Sequence, residues 1–503
     1  MVTKFGWMEI MDASLWLEHK PLIQTTTSAI PSIVPLVLIP LTGVTVLITS
    51  AAAIIAGWFG IKLKTEGPKQ FLEVLLRKRV LVTMLIVNFV GIATYKTMYY
   101  VKTLPAFLST VVKESDKNAI ISTENYPDQL LRIHSYRALK LSANINSLIL
   151  EKEIKLSAGA FRSGVISGNS IFYGSDDGNI YEIDKHNLEI KRKFFIGTEV
   201  TTRPIIYNKR IYSGEGVHNT HHARIYSFSL ESGKFLNAFE TKGHTEGQPV
   251  LGNDQGKDIL FITAGADGIY AIDPLKMTEI WHQNDGHLDA TVSIEGSIVY
   301  TGTGIEKGSL SDRRYAVAYD FHTGEKKWKK ELPMSNWMHP VITEHYVCFT
   351  LGEIYFPSLT GLLHCLDKKD GSPKFSIPFD GPIASKALYI KENIDEYIFF
   401  GDMKGEVCGV NINSREKKWC YKTGRSDTKS SFTSFDYDQS RGIIWYPSSD
   451  NGLFAIDPKL GKPLLQWTPE NSQWGANYAS VTIDGDYIYH MDISGKLRKF
   501  KTN

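Results

Sequence analysis

Over its last two-thirds the chain alternates apolar and polar residues in short runs, each stopped by Gly, Asp or Asn and restarted after a tight turn. The pattern reads GNIYEID at Gly178 to Asp184, ARIYSFSLESGK at Ala223 to Lys234, DGIYAID at Asp267 to Asp273 and YAVAYDFHTGEKKW at Tyr315 to Trp328. It returns as GLLHCLDKKDGS at Gly361 to Ser372, GEVCGVNINSREKKW at Gly405 to Trp419 and NGLFAIDPKLGKPLLQW at Asn451 to Trp467. Alternation at period two turns one face of each run toward a core and the other away, so the runs read as strands. Recurrence of strand-and-turn units at roughly 40 to 45 residues is the spacing of propeller blades, since a lone four-stranded blade cannot bury both faces. Innermost strands are expected to start near Phe161, Thr202, Gly247, Asp289, Met338, Ala384, Ser430 and Asn477. The expectation is an all-β, eight-bladed β-propeller of four-stranded blades over residues 146–503.

The last unit, ANYASVTIDGDYIYHMDISGKLRKFKT, holds three strands before Asn503. SLILEKEIKL, Ser147 to Leu156, is a spare β run ahead of the first blade. It is expected to supply the missing outer strand, which closes the ring and leaves no open seam.

A different pattern precedes the ring. Ile30 to Gly60 carries no charged residue, and a second apolar stretch runs from Val80 through Tyr95 to Val101. Each is long enough to span a bilayer at about 1.5 Å per residue, which predicts two transmembrane α-helices near 33–60 and 79–101 within a hairpin of residues 30–101. The loop 62–79 between them carries Lys62, Lys64, Lys69, Arg77, Lys78 and Arg79 and is expected to stay cytoplasmic. The N terminus is then outside, and the propeller lies in the periplasm of a bacterial inner-membrane protein. Residues 1–29, with Trp7, Ile10, Met11, Leu15 and Trp16 near helical spacing, suit an interfacial helix, and 102–145 reads as a linker or stalk. A cleaved signal peptide does not fit so long and so displaced an apolar run, and no Cys near the start suits lipidation.

Composition adds limits. Of 503 residues, 43% are hydrophobic and 22% charged, as in ordinary folded domains, and a net charge of +2 gives no field for nucleic acid. Four cysteines exclude a disulfide-dense scaffold, and none has zinc-site spacing. Midpoint arithmetic about the turn near Ser414 sets Cys408 opposite Cys420, and the same about Phe356 and Pro357 sets Cys348 opposite Cys365. Either pair could be a cross-strand disulfide in an oxidising compartment; two buried thiols are the default expectation for each.

These repeats resemble the PQQ-like propeller family, whose blades read approximately A-x-D-x-x-T-G-x-x-x-W. Ala318, Asp320, Thr323, Gly324 and Trp328 match it best, followed by Ala271, Asp273 and Trp281, and by Ala455, Asp457, Gly461 and Trp467 with one extra residue before the Trp. Asp184 and Trp419 occupy the same places in their units. The motif residues are expected to be structural: Asp capping a turn, Gly at positive φ, Trp between blades. Quinoprotein dehydrogenases of the family imply a calcium site, a catalytic Asp and a vicinal Cys pair over the quinone, and this chain has no vicinal cysteines. Its compact blades resemble BamB-like rings, with a transmembrane hairpin in place of a lipid anchor. No catalytic residue and no cofactor is expected; PQQ and calcium belong to the alternative of a membrane-bound oxidoreductase. The leading expectation is a non-enzymatic scaffold that binds envelope proteins.

One constellation points elsewhere. His244 and Glu246 in GHTEGQPV and His287 and Asp289 in GHLDATVS occupy matching blade positions, and His339 follows one blade later. With His218, His221 and His222 they could wall one mouth of the channel with imidazoles and carboxylates, as a metal or ligand sensor would require. The competing reading is polar lining of a wet channel.

Overall fold

The computed structural model describes residues 135–137, 145–217, 220, 222–306, 309, 312–355, 360–423, 434–448, 452–468 and 478–503. The expected hairpin, the basic loop and most of the linker lie outside these residues. Among the described residues no helix is long and apolar enough to cross a membrane.

Eight antiparallel sheets follow one another along the chain, each a meander of four consecutive strands except at the seam. Blade 1 runs from Val165–Ser167 to Ile190–Phe195, blade 2 from Ile205–Tyr207 to Phe235–Glu240, and blade 3 from Val250–Asp254 to Thr278–Gln283. Blade 4 runs from Ser293–Glu295 to Lys326–Glu331, blade 5 from Val341–Ile342 to Pro373–Phe379, and blade 6 from Leu388–Glu392 to Glu416–Lys422. Blade 7 runs from Asp436–Asp438 to Lys462–Trp467, and blade 8 begins at Thr482–Asp484. The innermost strands start a few residues later than the sequence pattern places them. Residues leading into them are held by side-chain bonds outside the ladder, as Thr202 Oγ1 is with Ser213 Oγ of the blade's second strand at 2.9 Å.

Blade 8 is closed as expected. Leu148–Lys155 lies antiparallel to Lys496–Thr502, with Leu148 opposite Thr502 and Lys155 opposite Lys496. The seam is clasped by charge as well as by ladder: Arg498 is fully buried, 2.9 Å from Asp492 within the blade and 2.8 Å from Glu153 on the closing strand. One further strand, Ser135–Arg137, pairs in parallel with Leu388–Glu392 on its free, axis-side edge, so blade 6 has five strands and part of the linker enters the channel.

The core fills the spaces between blades. Ile171, Tyr173, Tyr181 and Ile183 of blade 1 pack with Tyr489, Met491 and Leu497 of blade 8, while Ile259, Phe261 and Trp281 of blade 3 pack with Val317, Tyr319 and Phe321 of blade 4. The alternation follows from this: strands buried on both faces, such as Gly452–Asp457, are apolar almost throughout, whereas the outer Lys326–Glu331 buries only Trp328.

The blade motif docks neighbours. Trp281 Nε1 donates to the carbonyl of Phe321 at 3.0 Å, Trp328 to that of Lys368 at 2.9 Å, and Trp419 to that of Pro458 at 2.9 Å, each in the next blade. In every case the acceptor follows the turn residue Asp320, Asp367 or Asp457. Gly324, at φ +70°, lies under the Trp281 ring, where a Cβ would come within 2.6 Å of it. Asp320 Oδ1 accepts from the N–H groups of His322 and Thr323 at 3.0 Å. Burial would raise its pKa, but Lys327 and these N–H donors hold it at about 2. Asp184 and Asp273 cap their turns in the same manner.

Trp467 does not dock this way. The extra residue in its unit puts Leu465 opposite Ala455, where blades 3, 4 and 6 put Trp, and carries Trp467 to a position opposite Leu453. There its ring packs edge-on against Phe500 of blade 8, centroids 4.8 Å apart. In blade 1 the docking place, opposite Glu182, is held by Arg192, whose guanidinium donates to the carbonyls of Leu230 and Glu231 in blade 2.

Both cysteine pairs are directly opposite in their ladders and both are bonded, Cys348 to Cys365 and Cys408 to Cys420. The expectation of buried thiols is therefore replaced by two cross-strand disulfides. Cα separations of 4.0 and 4.1 Å bring the sulfurs together without any change of register.

Candidate functional site

Strands alternate in direction, so the segments joining blades and the loops between second and third strands share one face of the ring, here called the upper face. The segment before blade 3 carries His244, the segment before blade 4 carries His287 and Asp289, and Glu306 follows the second strand of blade 4. Backbone pairing fixes them. Gly265 bridges to Leu288, and His287 to Gly304, which pins the His287 segment between two blades. Thr245 Oγ1 donates to the Glu215 carbonyl at 2.9 Å and accepts from the Glu215 N–H at 2.8 Å, which pins the His244 segment. Gly265, at φ +53°, leaves room for the His244 ring, since a Cβ there would lie 2.4 Å from its Cε1.

The four side chains converge. His244 Nε2 lies 2.7 Å from Asp289 Oδ1, and His287 Nε2 lies 3.0 Å from Asp289 Oδ2 and 3.0 Å from Glu306 Oε2. The imidazole rings are 5.3 Å apart. His287 is 2% exposed, His244 4% and Asp289 8%, against 22% for Glu306, so the cluster opens to solvent on the Glu306 side. Burial favours neutral His287, but Asp289 and Glu306 outweigh it and raise the pKa to about 11. Burial also works against the Asp289 carboxylate, and the two histidines hold its pKa well below the usual carboxylate range. Tyr355, from blade 5, is raised by burial and by Glu306, Asp289 and Glu246.

The remaining expected residues divide. Glu246 is on the edge of the cluster, in the field of Tyr355 and of Arg162, the latter from the segment before blade 1. His339 stands apart: burial pushes its pKa well down, and Lys386 and Arg162 push it further. Register explains the difference. His244 and His287 each precede their inner strand by six residues, and His339 precedes Val341 by two, so it enters the ring at another level. His222 is exposed on the rim, 3.5 Å from Glu240. His218 and His221 lie outside the described residues.

Glu306, Tyr355 and Arg162 are absent from the sequence expectation. A signal for the first two was present: between second and third strands, blades 2, 4 and 5 carry 215–223, 303–314 and 353–360, against 175–178, 402–405 and 492–495 in blades 1, 6 and 8. Extra length is confined to the arc that holds the cluster.

Channel groups of the opposite sign lie beyond it. Lys386 is 3.7 Å from Asp436, and burial followed by Arg203 and Arg162 lowers its pKa despite that partner.

Eight four-stranded blades, docked by Trp and Gly and closed by the strand Leu148–Lys155, make an eight-bladed β-propeller. Residues 312–502 match the family model described as outer membrane protein assembly factor BamB. Among solved structures the ring resembles BamB from Moraxella catarrhalis, with 12% identity, a TM-score of 0.51, and coverage of 71% of this chain and 100% of that one. It also resembles the computationally designed Ika8 protein, with 14% identity, a TM-score of 0.50 and coverage of 72% and 100%. A europium-containing methanol dehydrogenase aligns with 12% identity, a TM-score of 0.54 and coverage of 73% and 96%. At such identities the likeness is one of fold. No curated protein matches the chain significantly.

The quinone implied by the oxidoreductase alternative finds a poor fit. All four cysteines are spent in cross-strand bonds within blades 5 and 6, so no vicinal pair can cover a cofactor at the channel mouth. Asp289 is held between two histidines, its two oxygens 2.7 Å from His244 Nε2 and 3.0 Å from His287 Nε2.

Proposed function

We propose that this chain is a membrane-anchored extracytoplasmic propeller that acts as a non-enzymatic scaffold for proteins of the bacterial cell envelope. One observation carries the reading. The motif residues that define the family are consumed in holding blades together, through Trp-to-carbonyl bonds and capped turns, while both cysteine pairs are spent as staples. What remains is a rigid, closed ring with longer loops on one arc of its upper face, suited to presenting a surface. The apolar hairpin at 30–101 supplies the anchor, and the basic loop 62–79 sets its orientation. Structural disulfides persist in oxidising compartments, which agrees with a periplasmic ring.

The test is reconstitution of the purified full-length protein with PQQ and calcium, followed by dye-linked oxidation of alcohols and sugars. The scaffold reading predicts no turnover above the cofactor-free control. Sustained turnover would overturn it in favour of the quinoprotein alternative. A parallel pull-down from native membranes should recover a stoichiometric envelope protein.

A further inference from the structure

We propose that His244, His287 and Asp289 form a transition-metal site on the upper face of the ring, with Glu306 as a fourth donor on its open side. The inference stands apart from the scaffold reading and would hold for either fate of that reading.

The argument begins from donor chemistry. Two imidazole nitrogens and carboxylate oxygens, with no sulfur, suit a borderline divalent cation of the zinc, cobalt or iron(II) kind, and not calcium, which takes oxygen ligands. Ligand atoms of His244, His287 and Asp289 all lie within 4.8 Å of one another. Around a tetrahedral ion with bonds near 2.1 Å, neighbouring ligand atoms are about 3.4 Å apart. His244 Nε2 and His287 Nε2 lie 2.7 and 3.0 Å from the two oxygens of Asp289, so the donors need to part by about 0.4 to 0.7 Å to reach that spacing.

Connectivity gives the second reason. His287 Nε2 sits 3.0 Å from two different carboxylates, so one ring nitrogen serves two anionic acceptors at once. A dication between the rings would neutralise both carboxylates and accept both imidazole lone pairs. The third reason is support: the two ligand-bearing segments are tied to neighbouring blades, by backbone bridges about His287 and by Thr245 bonds to Glu215 beside His244, so the donors are held before any ion arrives. Glu306, 22% exposed, holds the open side of the site, where solvent or a partner's side chain can add a fifth ligand.

The experiment is calorimetric titration of chelator-stripped full-length protein with zinc chloride, repeated with cobalt(II) for its visible ligand-field spectrum. One equivalent should bind, and cobalt should give the intense bands of a four- or five-coordinate site. His244→Ala and His287→Ala should each weaken zinc binding by about 100-fold or more, beyond the loss typical of outer-shell partners. His222→Ala, on the rim, should leave it unchanged. If the variants fail to fold, X-ray absorption of the zinc-loaded wild type decides the matter by detecting two imidazoles in the first shell. Absence of stoichiometric binding, a shell without imidazole, or affinity unmoved in variants that melt like wild type would overturn the proposal.

Discussion

Gly324 illustrates how much of the ring rests on single residues. Its φ of +70° is costly for any residue with a Cβ, and the Trp281 ring occupies the space that a Cβ would need. Gly324→Ala should therefore destabilise the ring by about 1–3 kcal/mol, read as a lower denaturation midpoint at constant m-value. A neutral outcome would mean that Trp281 does not dock there. His490 makes a prediction of another kind. It is fully buried, and burial together with Arg498 lowers its pKa to about 3, against a smaller pull from Asp492. The unfolded chain protonates this histidine below about 6.5 while the native ring does not, so its contribution to stability falls with acid from pH 6.5 towards 3. Buried Glu215, raised to about 7 by desolvation, carries the opposite sign above pH 4.5, so a difference measurement is needed. His490→Gln should flatten the loss of stability between pH 6 and 4 by up to about 1.4 kcal/mol per pH unit. An unchanged slope would contradict the depressed pKa. At this scale the sequence was informative where chemistry is motif-bound, as for Trp328, and silent where it is not. Arg192 performs the docking of a Trp through its guanidinium, and nothing in its identity announces that role.

Among elements, the closing strand is the one on which the others depend. Leu148–Lys155 shields the edge of Lys496–Thr502 and brings Glu153 to buried Arg498. Deleting Ser147 to Leu156 would expose that edge and take the Glu153 carboxylate from buried Arg498, a loss of several kcal/mol by burial at about 25 cal/mol per Å² and by the broken ion pair. The whole ring should then melt earlier in one transition, because each core cluster is shared between neighbouring blades. An unchanged melting temperature, or early loss of blade 8 alone, would contradict this. Closure was legible in advance, since a three-stranded last unit and a spare β run make a single match. The displacement of Trp467 was not: a one-residue insertion shifts it past the docking place and leaves Leu465 there, and period-two alternation alone does not show on which side of the bulge the extra residue falls. The candidate cluster was half legible. The repeat aligned His244 with His287 because both segments enter the ring at the same height, whereas Glu306 comes from a loop outside the repeat, which no periodicity can place.

For the molecule as a whole, the structure joins a closed ring, two staples and a segment of linker on the axis-side edge of blade 6. Membrane anchoring, the compartment of the ring and its partner belong to the proposal, and all three depend on which side of the membrane the ring occupies. The measurement that reaches this most directly is thiol trapping in intact cells with a maleimide reagent of high mass, with and without prior reduction. In an oxidising compartment Cys348, Cys365, Cys408 and Cys420 should resist modification until reduced after denaturation, and then shift by four adducts, the full complement of the chain. Four free thiols in unreduced, denatured samples would place the ring in a reducing compartment, and would contradict the orientation drawn from the basic loop and the scaffold built on it.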